Sequence, residues 1–276
     1  MSKRIVRGIC RICGKEGKLT FEHIPPGATY NKQSVRLVKL MDLIKAEHDE
    51  NALPWELDRA PSELSQKGRG EYCLCESCNN NTGSWYGAHY KRFIDAFMYV
   101  YMGIRNDNVS NVSLELYEMR PLPIIKQIFA MFCDINPQLT TNDPSVRDFL
   151  LNKDSRNIDR SKYRIFMYLY KGGIEKTAGL TAKIFVGKGS HYVLLSEIAT
   201  IPVGFILYED MPENYKPNLT EITYFLDYEY SSVAPITMTL NAYEVNSWLP
   251  EDFRTKQEIL ATIEKNKERA NGKDAT

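Results

Sequence analysis

The hydrophobic pattern changes character along the chain. At the front, short apolar pieces over Arg4–Ile9 and Lys18–Glu22 flank a tight Cys-Arg-Ile-Cys turn and read as a small hairpin. Leu37, Leu40, Met41 and Ile44 recur at helical spacing, which predicts a helix over Val35–Glu47 capped by Ser34. Pro54, Pro61, Gly68 and Gly70 then punctuate a loop-rich stretch. After Cys78, the residues Trp85, His89, Phe93, Ala96, Phe97 and Val100 recur at three and four, as in a long amphipathic helix.

A polar stretch near Asn106–Asn111 marks a soft boundary. Beyond it Pro123–Phe132 and Asp143–Leu151 read as helices. Six strand-like runs follow: Tyr163–Tyr170, Leu180–Val186, His191–Ser196, Val203–Tyr208, Ile222–Tyr228 and Ile236–Leu240. Their spacing and polar turns suggest an antiparallel sheet. Glu251–Ala270 closes the chain as a charged amphipathic helix. The expected class is α+β, with a front domain over 1–105 and a domain of antiparallel sheet and helices over 106–276.

The 276 residues are 43% hydrophobic and 25% charged, a composition that supports a folded core. Lys and Arg number 35 and so do Asp and Glu, which excludes a uniformly cationic coat or an acidic tail. The balance hides an asymmetry, because residues 1–40 carry nine Lys/Arg against two acids. No apolar run approaches the roughly 18 to 20 residues of a membrane span, and the start lacks a signal-peptide pattern, so a cytoplasmic protein is expected.

Four of the six cysteines fall in two pairs, Cys10-x-x-Cys13 and Cys75-x-x-Cys78. Each pair sets two thiolates on one side of a tight loop, and two such turns together form the tetrahedral sulfur shell that Zn²⁺ prefers. Such a zinc would be structural, since four thiolates leave no open position. Cys73 offers an alternative thiol two residues from Cys75; Cys73 and Cys133 read as small buried hydrophobes.

Cys-x-x-Cys, then Glu22-His23, then Cys-x-x-Cys followed by Asn79 at the start of a helix resembles the HNH (ββα-metal) nucleases. The likeness is to the zinc-knuckle branch typified by phage Holliday-junction-resolving endonucleases, and covers about residues 10–100. It implies a zinc-stapled treble-clef or ββα-metal module. It also implies Glu22 and Asn79 as ligands of a catalytic Mg²⁺ or Mn²⁺, His23 as general base, DNA as substrate, and a setting in bacterial defence or a mobile element. The acid is Glu where the family commonly has Asp, and only Asn31 and Asn51 lie between His23 and Cys75, neither a clear counterpart of the family's middle asparagine.

The chemistry is coherent on its own terms. An imidazole with an ordinary pKa near 6.5 can take a proton from water at neutral pH, and a hard cation held by one carboxylate and one amide oxygen keeps sites for water and phosphate. Neighbours in a regular strand face opposite ways. Ile24-Pro25-Pro26-Gly27 is therefore expected to take the chain out of the sheet and let Glu22 and His23 converge.

Lys67 and Arg69, in a glycine-flanked loop before the second cysteine pair, and Lys91 and Arg92, on the following helix, are candidate phosphate contacts. His89 reads as a core or interface histidine. Gly187-Lys-Gly-Ser190 reads as a hairpin turn, and His48 and His191 have no assigned role. The many tyrosines of the second half are read as strand residues ahead of base-stacking platforms.

Three functions compete: a DNA endonuclease; a non-cutting zinc-structured module that binds nucleic acid or protein; and an RNA-cutting variant of the first. The rear domain would bind a target or partner, or support a homo-oligomer.

Overall fold

The computed structural model describes residues 5–46, 52–185 and 191–273. Strands β1 (Arg7–Ile9) and β2 (Glu16–His23) form the expected antiparallel hairpin, and β5 (Gly70–Cys75) pairs with β2 to complete a three-stranded sheet. Between β2 and β5 the chain makes a two-stranded ribbon, β3 (Val35–Val38) with β4 (Ser62–Ser65), and a short helix α1 (Leu40–Ala46). The helix expected from Val35 therefore begins at Leu40; its last expected residue, Glu47, and His48 lie outside the described residues. Val35 and Leu37 alternate with Arg36 and pair with Ser65 and Glu63 of β4, a long-range pairing that outweighs the local helical spacing.

From β5 the chain passes directly into α2 (Glu76–Thr82), a π turn over Gly83–Gly87 and α3 (Ala88–Ile104), one continuous helical rod. Its buried face runs Cys78, Thr82, Tyr86, Tyr90, then Phe93, Ile94 and Phe97. The wider π turn keeps the four-residue step and carries Tyr86 and Tyr90 inward, where the sequence pattern had pointed to Trp85 and His89.

β6 (Asn111–Met119) follows, then α4 (Pro121–Ile135), α5 (Gln138–Asn142) and α6 (Pro144–Leu151). α4 starts on proline, whose fixed φ suits the first turn, and is buried from Pro121 to Asp134, the mark of a central helix. Asp143 caps α6 by accepting from Ser145 N at 3.0 Å.

The large sheet contains β7 (Tyr163–Gly173), β8 (Lys176–Phe185), β9 (His191–Thr200), β10 (Val203–Glu209), β11 (Thr220–Glu221) and β12 (Ala234–Val245). Its order is β6-β12-β7-β10-β9-β8, with β11 beside β7. All pairings are antiparallel except β12 with β7, so the sheet is mixed rather than purely antiparallel. The run Ile222–Tyr228 is a 3₁₀ turn over Thr223–Asp227 and not a strand. Helix α7 (Lys256–Lys273) ends the described chain. The Gly187–Ser190 stretch lies outside the described residues, between antiparallel neighbours β8 and β9.

The architecture is α+β. One apolar core joins Cys10, Leu74, Phe93 and Phe97 to Ile128, Phe129, Phe205 and Phe225, so α3 and α4 are packed by residues from both sides of position 105. Tyr168 and Tyr170 are fully buried, in keeping with a role as strand residues. No helix among the described residues is long and apolar enough to cross a membrane.

Candidate metal centre and the end of β2

The first cysteine turn is held by backbone bonds from Cys10 N to Lys15 O (3.0 Å) and from Gly14 N to Cys10 O (2.9 Å). Gly14 sits at φ +71°, which a glycine accepts without strain. The second pair straddles the junction of β5 and α2. Together they bring Cys10, Cys13, Cys75 and Cys78 to one point, with their sulfurs all within 4.8 Å of one another. Cys13 Sγ and Cys75 Sγ are 3.8 Å apart. A tetrahedron with Zn–S bonds of about 2.3 Å has edges of about 3.8 Å, so the four sulfurs fit a metal ion such as zinc.

The thiols already polarise one another. A hydrogen bond with Cys78 pulls the Cys10 thiol well below the usual thiol range, and the same bond pushes Cys78 up. A cation placed among them would stabilise all four as thiolates. Cys73 stands apart as the extra residue of an irregularity in β5, where Leu74 pairs with Thr20 and Tyr72 with Phe21. It is buried, burial drives its thiol far up, and it lies outside the set of four.

The cysteine turn is docked on the rear half through Arg11. Its guanidinium bonds Asp134 O on α4 and pairs with Glu71 at 2.5 Å, while Arg11 O accepts from Thr140 Oγ1 at 2.5 Å.

Next to this centre, Asn79 in the first turn of α2 donates from Nδ2 to Thr20 Oγ1 at 3.0 Å and approaches Phe21 O at 3.5 Å. Thr20 and Glu22 share one face of β2, so the amide lies on the face that carries Glu22. Glu22 makes no hydrogen bond or ion pair among the described residues, and burial pushes its carboxyl up to about 7. A carboxylate so poorly compensated, beside an amide whose Oδ1 is not used in these contacts, is chemically suited to a divalent cation.

His23 occupies the other face. β2 stays regular through His23, which pairs with Gly70, and Ile24 N continues the contact to Arg69 O at 3.0 Å. The chain leaves the sheet after His23, at the expected Ile24–Gly27 stretch, but because β2 runs on to His23 the two side chains flank the strand end instead of converging. The imidazole packs edge-on against Phe21 with ring centroids 5.1 Å apart.

The loop after His23 is fixed by a residue whose role was not legible in the sequence. Asn31 Nδ2 donates to Pro25 O (2.6 Å) and Arg69 O (2.7 Å), and Asn31 Oδ1 accepts from Arg69 N (2.7 Å). Gly68, at φ +82°, permits this approach, since a Cβ there would lie 2.5 Å from Asn31 O.

The four candidate phosphate contacts are differently placed. Lys67 lies 5.6 Å from the centre of the Phe21 ring, on the His23 side. Arg69 is nearly buried and paired with Glu175. Lys91 pairs with Asp95, and Arg92 with Glu118 at 2.5 Å. Asp134, 123 positions from Arg11, had no local signal; it is fully buried, with Oδ1 unpartnered, and its carboxyl is pushed well up by burial and then by the Glu22 charge.

No protein-family model, curated protein or solved structure matches this chain.

Proposed function

We propose that the chain is a metal-dependent endonuclease that hydrolyses DNA phosphodiester bonds, built on a zinc-stapled ββα module of treble-clef type. The observation that carries this reading is the Asn79–Thr20 hydrogen bond, which sets an amide on the Glu22 face of β2 one residue after a metal-suited cysteine. Glu22 and Asn79 would hold Mg²⁺ or Mn²⁺, which when bound supplies charge neutralisation at the scissile phosphate. His23 takes the proton from the attacking water, and Lys67 beside Phe21 adds positive charge on the same side. A phosphodiester seated over the end of β2 would meet both faces of the strand.

The second reading is a zinc-structured nucleic-acid-binding or protein-interaction module that does not cut. It draws support from Glu22 and His23 lying on opposite faces, and from Arg69, Lys91 and Arg92 being paired with acids. Supercoiled plasmid incubated with wild type and His23→Ala, with Mg²⁺ or Mn²⁺, separates the two. Nicking by wild type and loss of at least a hundredfold in the variant supports the enzyme; binding without nicking by either favours the second reading. Competition with RNA tests whether RNA is the better substrate.

A further inference from the structure

Beyond the end of β2, a second cationic site lies further along the same helical rod. A cavity of about 430 Å³ is lined by His89, Arg92, Glu118, Met119, Arg120 and Val233. His89 projects from the first turn of α3, Arg120 from the junction of β6 and α4. The His89 ring meets Tyr230 edge-on at 6.3 Å, and the Lys153 ammonium lies 5.1 Å from the centre of that same Tyr230 ring. The Tyr230 hydroxyl is fixed by donating to Trp85 O at 2.8 Å, so the ring is a rigid wall between the cations.

Of the cations here, Arg92 is offset by an acid in the cavity lining, and Arg120 and Lys153 are not. Glu118 is taken by Arg92, and holds φ +55°, an unusual conformation for a residue with a side chain. Asp154 is felt by Tyr230, but it acts on Lys126 as well. The Arg120 guanidinium has no hydrogen bond or ion pair among the described residues, and the Lys153 ammonium has only the Tyr230 ring. The surplus is felt by His89, whose imidazole is pushed down by burial and then by the Arg120 and Arg92 charges. Arg120 in the cavity and Lys153 on the Tyr230 ring next to it, two cations without an acid bound to either, fit a phosphate group.

We infer that Arg120 and Lys153, beside His89 and Tyr230, form a backbone-phosphate site that holds a DNA duplex away from the cutting point. The inference rests on the nuclease reading for its choice of DNA. His89 lies ten helical residues beyond Asn79, about 15 Å along the rod at 1.5 Å per residue. That is about four base-pair steps of a duplex at 3.4 Å each, so a duplex lying along α2 and α3 reaches both sites.

Anisotropy of a fluorescein-labelled 20-base-pair duplex, titrated from low to moderate salt without added divalent cation, tests this on the full chain carrying His23→Ala. Adding Arg120→Gln with Lys153→Gln is expected to weaken binding about tenfold and to lower the salt slope by about two, as the loss of two phosphate contacts requires. Lys153→Gln alone should give about threefold. Lys216→Gln with Lys265→Gln removes the same charge from exposed positions elsewhere and should change neither quantity appreciably. A melting curve for each variant confirms that it is folded.

Affinity and slope for the Arg120/Lys153 variant equal to those of the Lys216/Lys265 control would overturn the site, as would a parent protein that binds no duplex at low salt. These outcomes separate from the nuclease test. Plasmid cutting by wild type with no binding loss in the variant removes this site alone, whereas binding loss in a chain that never cuts keeps the site and removes the nuclease.

Discussion

The guanidinium of Arg69 is paired with the carboxylate of Glu175, joining the loop ahead of the second cysteine pair to the turn between β7 and β8. Arg69 is also held through its backbone, by Asn31 and by Ile24 N. One residue thus ties the end of β2, the inserted loop and the large sheet together.

Arg69 is the largely buried member of this pair and Glu175 the exposed one, so removing Glu175 leaves a poorly solvated guanidinium. Glu175→Gln is expected to lower stability by about 0.5 to 1 kcal/mol, with a larger loss for Arg69→Ala and a coupling between them in a double-mutant cycle. Urea unfolding measures it. Unchanged midpoints in both single variants would show that the pair contributes nothing.

Asn31→Ala removes three hydrogen bonds at once and leaves Arg69 N and two carbonyls to find other partners. The expected cost is about 2 to 4 kcal/mol, at roughly 1 kcal/mol for each bond. Amide exchange should show faster opening at Arg69 and Ile24 than at Leu74, and uniform exchange across these positions would argue against a local clamp.

Metal content should be one zinc per chain for wild type and for Cys73→Ala, and near zero for Cys78→Ala. Because metal binding and folding are coupled, chelation should also lower the melting temperature. Elemental analysis with a thermal melt decides this; a metal-free Cys73→Ala protein would bring Cys73 into the ligand set.

Lys126 sends its ammonium to Phe149 O at 2.5 Å and Asn152 O at 2.7 Å, closing the C-terminus of α6. Burial lowers this lysine from 10.5 to about 7. The unfolded chain then binds more protons than the folded one between pH 7 and 10.5, so stability from this group rises with pH across that window. Lys126→Met lacks the titration, and its stability relative to wild type should fall by up to about 4 kcal/mol from pH 7 to 10, at 1.36 kcal/mol per pH unit. A constant difference across that range would mean that Lys126 stays charged throughout.

What the amino-acid pattern disclosed, and what it hid, follows from the range of the forces involved. The cysteine cluster was legible because each pair is a local turn and four sulfurs have few other reasons to recur at that spacing. β7, β9, β10 and β12 were legible from runs of strand-forming residues. β3 was not, because its partner Ser62–Ser65 lies across a long insertion, and β6 was missed because Asn111–Met119 shows only half-buried alternation. At the candidate site the residue types were readable, but the facing of Glu22 and His23 depended on Gly70 and Arg69 continuing the pairing, and Asp134 reaches the neighbourhood only through the packing of α4.

The shared wall formed by the π turn and α3 has a practical corollary. Phe93 meets Phe225 at 6.0 Å, Tyr90 meets Phe205 at 6.3 Å, and the Tyr86 hydroxyl reaches Leu150 O at 2.8 Å. A chain nicked by protease between α3 and β6 should stay associated as two fragments, and the front piece expressed by itself would present those rings to water and self-associate.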